Sequence, residues 1–145
     1  MISVIIIGHG CFASGILSSL ELIAGRHDNI TAIDFTSNMT SNDLYSQLHQ
    51  LLDSKSETLI LCDLLGGTPF KEAVAVMENF PKSVINVLAG LNLAMLIETI
   101  FARQTDLSFN QLTDHLLKVS KEGIVDWQSL SSHIEASNQN EEGGI

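Results

Sequence analysis

Short aliphatic and β-branched runs alternate with stretches whose apolar residues recur every three or four positions, from the first residue to about residue 100. A strand, a helix and a second strand in succession return to one sheet by a crossover, which makes the strands parallel and places helices on the sheet's faces. The runs are ISVIII (2–7), ITAIDF (30–35), TLILCD (58–63) and SVINVL (83–88), and the first is continuous, as expected of a strand covered on both faces. Between them, Phe12, Ile16, Leu20 and Ile23 mark a helix stopped by Gly25. Ser41 is the expected N-cap of a helix carrying Leu44, Leu48, Leu51 and Leu52, and Thr68 that of a helix with Pro69 in its first position. Two more helices are expected, from about Asn92 to Arg103 and from Ser108 to a stop at Gly123. IVDW (124–127) is a candidate fifth strand, and SNQNEEGGI (137–145) reads as a polar, frayed end. The 145 residues show no dividing linker, so residues 1–130 are expected to form one domain and 131–145 a polar C-terminal tail. The fold class is α/β, a doubly wound, mainly parallel sheet of order 2-1-3-4.

Folds of this class bind ligands outside the carboxyl ends of their strands. Two loops lie there: GHG (8–10) after the first strand and DLLGGTP (63–69) after the third. In the order 2-1-3-4 these strands are neighbours, so the loops face each other. Charge narrows the partners, since seven Lys and Arg against seventeen Asp and Glu leave a net charge of -10. That field repels a polyphosphate chain and argues against nucleic acid. Cys11 and Cys62 stand in apolar segments without a C-x-x-C pair, which suggests small packing residues and no disulfide or metal framework. The N-terminus has no basic region of the kind that opens a secretory signal, and VLAGLNLAMLIETIFA (87–102) is interrupted by Asn92 and Glu98. A soluble protein is expected.

Several chemistries compete at that edge. Gly8-x-Gly10-x-x-Ala13 matches a dinucleotide fingerprint, with Asp34 at the end of the second strand as the ribose-binding acid. GGTP lacks the G-K-[ST] ending of a P-loop, and Ser14 lacks the elbow of a nucleophilic serine. His9, Cys11 and Asp63 have no spacing typical of a metal site. A phosphohistidine carrier uses more of the residues. An imidazole near neutral pH offers an unprotonated nitrogen as nucleophile, and its phosphoramidate can pass the group onward. Asp63 could hold the other ring nitrogen, while the amides of Gly66, Gly67 and Thr68, the Thr68 hydroxyl and the helix N-terminus could receive the phosphoryl oxygens. Gly10 joins them as a phosphoryl-binding candidate. Taken singly, Thr68 reads as an ordinary helix start and Asp63 as a strand-terminal cap. His27, His49, His115 and His133 read as surface residues without acidic context.

GHGCFASG (8–15), DLLGGTPF (63–70), AGLNLAMLIE (89–98) and SFNQL…KEGI (108–124) together carry a resemblance. From Met1 to about Trp127 the chain resembles the IIA component of the mannose family of bacterial phosphoenolpyruvate:sugar phosphotransferase systems, most closely the N-acetylgalactosamine and hexosamine branch. The resemblance implies that His9 is phosphorylated at Nε2, that Asp63 orients its ring, and that Thr68 is the hydroxyl residue near the phosphoryl group. It implies a phosphoryl group arriving from HPr and leaving to a IIB component, which serves sugar uptake through membrane IIC and IID proteins. It also implies a flavodoxin-like fold, a homodimer exchanging an antiparallel edge strand (here 124–127), no cofactor, and a cytoplasmic protein peripherally associated with the permease. Ala94 stands where the family often has Pro, and Lys71 where Asn is common. Neither removes a group needed for transfer, though either could alter docking. A stand-alone IIA is expected. A dinucleotide-binding module and a phosphorylation-sensing regulatory protein stay open as alternatives.

Overall fold

The computed structural model describes residues 1–141, with side chains through Ser137. The elements follow in the order β1 (Ser3–His9), α1 (Phe12–Ala24), β2 (Ile30–Phe35), α2 (Ser41–Leu51), β3 (Thr58–Cys62), α3 (Thr68–Asn79), β4 (Ile85–Ala89), α4 (Leu93–Ala102), α5 (Phe109–Glu122) and α6 (Trp127–Glu141). Among the described residues the sheet has four strands, all parallel, in the order β2-β1-β3-β4. The expected doubly wound fold is therefore present. No helix among the described residues is long and apolar enough to cross a membrane.

The alternation of side chains along each strand builds two cores. Val4 and Ile6 of β1 and Leu59 and Leu61 of β3 pack under α1, α4 and α5, against Leu20, Leu96, Ile100, Leu112 and Leu116. Ile5, Ile7, Ile60 and Cys62 face the other way, against Leu44 and Leu48 of α2 and Ala73 and Val76 of α3. A fully buried Leu or Ile contributes about 1.5–3 kcal/mol, so β1 and β3, apolar on both faces, hold the centre of the sheet. Arg103 ties the first core to the loops beneath it. Buried beyond the end of α4, it donates from Nη1 to the carbonyls of Ile2 (3.0 Å) and Asn29 (3.3 Å) and from Nη2 to that of Asp28 (2.7 Å).

Several local expectations are corrected. The N-cap of α2 is Thr40, one residue earlier than Ser41, because Thr40 and Asp43 form a reciprocal capping box. The N-cap of α3 is Gly67, so Thr68 and Pro69 occupy the first two helical positions. β1 runs on to His9, and β4 begins two residues later than expected. IVDW forms no strand in the chain. Asp126 accepts from the amides of Gln128 (3.3 Å) and Ser129 (3.1 Å) and from the Ser129 hydroxyl (2.6 Å), and this cap makes Trp127 the first residue of α6. The boundary expected at residue 130 falls inside α6. Residues 137–141 of the expected frayed end are helical, and 142–145 lie outside the described residues.

Arg103→Met keeps the apolar stem and removes the guanidinium bonds to the Ile2, Asp28 and Asn29 carbonyls, of which Asn29 keeps the Val4 amide at 2.9 Å. Bonds to a charged donor are worth about 1.5–3 kcal/mol, so urea unfolding is expected to show a loss of about 2–3 kcal/mol. A loss below about 0.5 kcal/mol would show that these bonds do not hold the lower edge of the sheet.

Candidate functional site

The parallel pairing brings three strand ends together at one edge. His9, the last residue of β1, is level with Phe35, the last of β2, and Ile7 is level with Cys62, the last of β3. Asp63 is thus the first residue beyond β3, held by its amide to the Ile7 carbonyl at 3.2 Å. Its carboxylate reaches across to β1. Oδ2 accepts from the His9 amide at 2.9 Å and lies 2.8 Å from His9 Nδ1, while Oδ1 accepts from the Leu64 amide at 2.8 Å.

A carboxylate only accepts, so Nδ1 carries the proton and the lone pair of the neutral ring is on Nε2. The His9 side chain is 45% exposed and that of Asp63 13%. The ring is therefore half-exposed at this edge, while the carboxylate that holds Nδ1 is largely covered. Partial burial pushes the Asp63 carboxyl up, but the His9 amide, the His9 ring and its charge, and the Leu64 amide outweigh it, and the group titrates below the ordinary carboxylate range.

The glycines shape this edge. A Cβ on Gly8 would stand 2.7 Å from the Phe12 ring, and Gly10 turns the chain at φ +60°. The Gly10 amide donates to the Phe35 carbonyl at 2.9 Å, so that N–H is already engaged and Gly10 serves the turn instead. Gly66 has φ +79°, and a Cβ on Gly67 would come within 2.7 Å of His9 Cε1 and 3.3 Å of Nε2. Gly67 is therefore a bare backbone wall against the Cε1–Nε2 side of the ring. The amides of Gly66, Gly67 and Thr68 and the Thr68 hydroxyl meet no protein acceptor or donor among the described residues. They form the start of α3, where a helix favours an anion. Beside them a hollow of about 500 Å³ is lined by Leu64, Leu65, Phe70, Val87 and Leu117.

Other sequence readings find different places. Asp34 gives both oxygens to Ser14, accepting from its amide at 2.9 Å and its hydroxyl at 2.5 Å. Cys62 is buried, and burial together with the Asp63 charge pushes its thiol up to about 12. Cys11 is exposed rather than packed, since it precedes α1 on the outside of the turn. His115 does have an acidic partner, Glu98 of α4 at 2.6 Å from Nε2, which its sequence neighbours give no hint of. Among the described residues, no three His, Cys, Asp or Glu side chains gather in a way that could hold a metal ion.

The family model described as PTS system fructose IIA component matches residues 3–117. The chain belongs to this family, the mannose-family IIA components of the sugar phosphotransferase system. It is 32% identical over 138 residues to the PTS system fructose-specific EIIA component of Bacillus subtilis, covering 93% of this chain and 90% of that protein. It is also 32% identical over 126 residues to the PTS system mannose-specific EIIAB component of Escherichia coli, of which it spans 38%. A crystal structure of phosphotransferase system component EIIA from Streptococcus agalactiae superposes with a TM-score of 0.85 at 45% identity, covering 89% of this chain and 99% of that one. The family is one of phosphoryl transfer in sugar uptake. The four-stranded parallel sheet is shared.

Because the Asp63 carboxyl titrates lower in the folded chain than in the unfolded one, its contribution to stability is complete above the unfolded value, about 3.9. It is lost as pH falls through the folded value. Urea midpoints measured from pH 6 downward are expected to fall more steeply below about pH 5 for the natural chain than for Asp63→Asn. Parallel curves would contradict the assigned bonds.

Proposed function

We propose that the protein is a phosphocarrier in which His9 takes a phosphoryl group from phospho-HPr and gives it to a IIB component. The observation that carries this reading is the 2.8 Å contact of Asp63 with Nδ1 of a half-exposed His9, which leaves Nε2 without a hydrogen-bond partner among the described residues. Nε2 attacks the phosphorus of the donor, the new N–P bond forms as the donor's bond breaks, and the donor atom leaves with the electron pair of that bond. Nδ1 keeps its proton, so the phosphorylated ring carries positive charge, and the Asp63 carboxylate meets that charge across the same bond. The phosphoryl oxygens are received by the free amides of Gly66, Gly67 and Thr68, by the Thr68 hydroxyl and by the N-terminus of α3. Transfer to IIB repeats the displacement with the phosphorus on this chain.

The exposed Leu64 and Leu65 and the adjoining hollow offer an apolar rim against which HPr and then IIB would seat. IIB in turn serves membrane IIC and IID proteins, which places the chain in the cytoplasm at the face of a permease. A homodimer fits the exposed Ile124, Val125, Trp127, Leu130 and Ile134, an apolar strip of a kind that monomers rarely leave uncovered. No separate observation favours the dinucleotide reading, because Gly8, Gly10 and Asp34 each have a use within the chain.

Incubation with phosphoenolpyruvate, enzyme I and HPr is expected to add one acid-labile phosphoryl group to the natural protein and none to His9→Ala, read by intact mass. Native mass of the same sample is expected to read two chains. Absence of the group with an active HPr would contradict the carrier, and a single chain would contradict the dimer.

A further inference from the structure

Asp34 is the acidic residue that a dinucleotide fingerprint would assign to a ribose, and its carboxylate is already occupied. α1 starts without help from its own N-cap, because Cys11 makes no side-chain capping bond. Its third residue is Ser14, whose amide would otherwise be one of the unpaired donors of a helix start. Asp34 meets that amide with Oδ1 at 2.9 Å and the Ser14 hydroxyl with Oδ2 at 2.5 Å. The cap is thus supplied from β2, twenty residues away along the chain. Asp34 pairs with Gly8 in the sheet register, and Phe35 pairs with His9. Successive strand residues point to opposite faces. Asp34 grips the start of α1 on one face, and on the other the Phe35 ring meets the His9 ring edge-on, centroids 6.0 Å apart. Between them the Phe35 carbonyl takes the Gly10 amide at 2.9 Å.

The four residues of the Gly8–Cys11 turn are therefore fastened to β2 at both ends, and His9 is the only side chain in that turn that reaches Asp63. Where a single glycine-flanked turn carries the nucleophile, a shift of about 1 Å can cost about 10²-fold in rate. We infer that Asp34, acting through Ser14, is a positioning residue for His9: it locks the turn so that Nε2 is held against Gly67 and the start of α3. The inference rests on the phosphocarrier reading and extends it to a residue that touches neither the ring nor the phosphoryl group.

The test compares Asp34→Ala, Asp34→Asn, Ser14→Ala and the double variant Ser14→Ala/Asp34→Ala with the natural protein. Ser108→Ala is the control, since it removes the N-cap of α5, a comparable cap far along the chain from the turn. The readouts are the rate of phosphorylation by limiting phospho-HPr, the His9 Cε1 proton resonance through a pH titration, and the melting temperature. Asp34→Ala is expected to slow phosphorylation about 10–100-fold and to displace the His9 titration curve. Asp34→Asn keeps an acceptor for the Ser14 amide and is expected to recover most of the rate. The double variant is expected to be no slower than Asp34→Ala, because the two side chains act as one clasp. Ser108→Ala is expected to lower the melting temperature and leave rate and resonance unchanged. A natural rate in Asp34→Ala, or a loss no larger than that of Ser108→Ala, would overturn the inference. If the natural protein takes no phosphoryl group, the carrier reading fails, and the resonance alone decides whether Asp34 positions the ring: an unmoved curve in Asp34→Ala overturns it.

Discussion

One contact organises the site, and it depends on two central strands being neighbours. Asp63 reaches His9 only because β3 lies directly beside β1 and ends two residues short of it. The carboxylate then closes three bonds at once, to the amide and ring of His9 and to the Leu64 amide. Each bond constrains the others. The His9 backbone cannot move from Asp63 without the ring moving too, and Leu64 anchors the loop that continues into Gly66 and Gly67. An exposed imidazole would ordinarily be mobile. Here its position and its tautomer follow from the same oxygen.

The opposite side of the turn is built from β2, by different means. Asp34 supplies a helix cap, and Phe35 supplies a carbonyl and an aromatic edge. β1 thus receives its polar orientation from β3 and its fixed height from β2. The central position in the order β2-β1-β3-β4 is what permits both. The remaining wall is Gly67, which brings backbone to the ring where any side chain would collide with it. Buried strands, three bonds to one carboxylate and a bare glycine leave Nε2 as the free edge of the ring. In the carrier reading that edge takes the phosphoryl group.

The layers of the fold were legible because periodicity is a local signal. A continuous run such as VIII and a spacing such as Leu44 to Leu48 can each be read without knowing what they touch. The pairing of His9 with Asp63 was legible at one remove, since the strand order follows from the fold class and both residues end strands. Caps were harder. Thr40 and Gly67 take the positions expected of Ser41 and Thr68 because the decision between neighbouring residues rests on backbone geometry and on a reciprocal bond from Asp43. Asp34 was read for its place and not for its partner, since nothing in the sequence shows that Ser14 lies against it. Glu98 and His115 meet across α4 and α5 for the same reason. In 124–127, a run of β-branched and aromatic residues gives way to one aspartate that can cap a helix.

In the carrier reading, the bond between Asp63 and Nδ1 leaves Nε2 as the atom that carries the phosphoryl group. Nitrogen-15 labelling of histidine, followed by phosphorylation and a nitrogen–phosphorus coupling measurement, reads the bonded atom directly. Coupling is expected to Nε2 of His9, with Nδ1 still protonated. Coupling to Nδ1, or to a nitrogen of any other histidine, would contradict it.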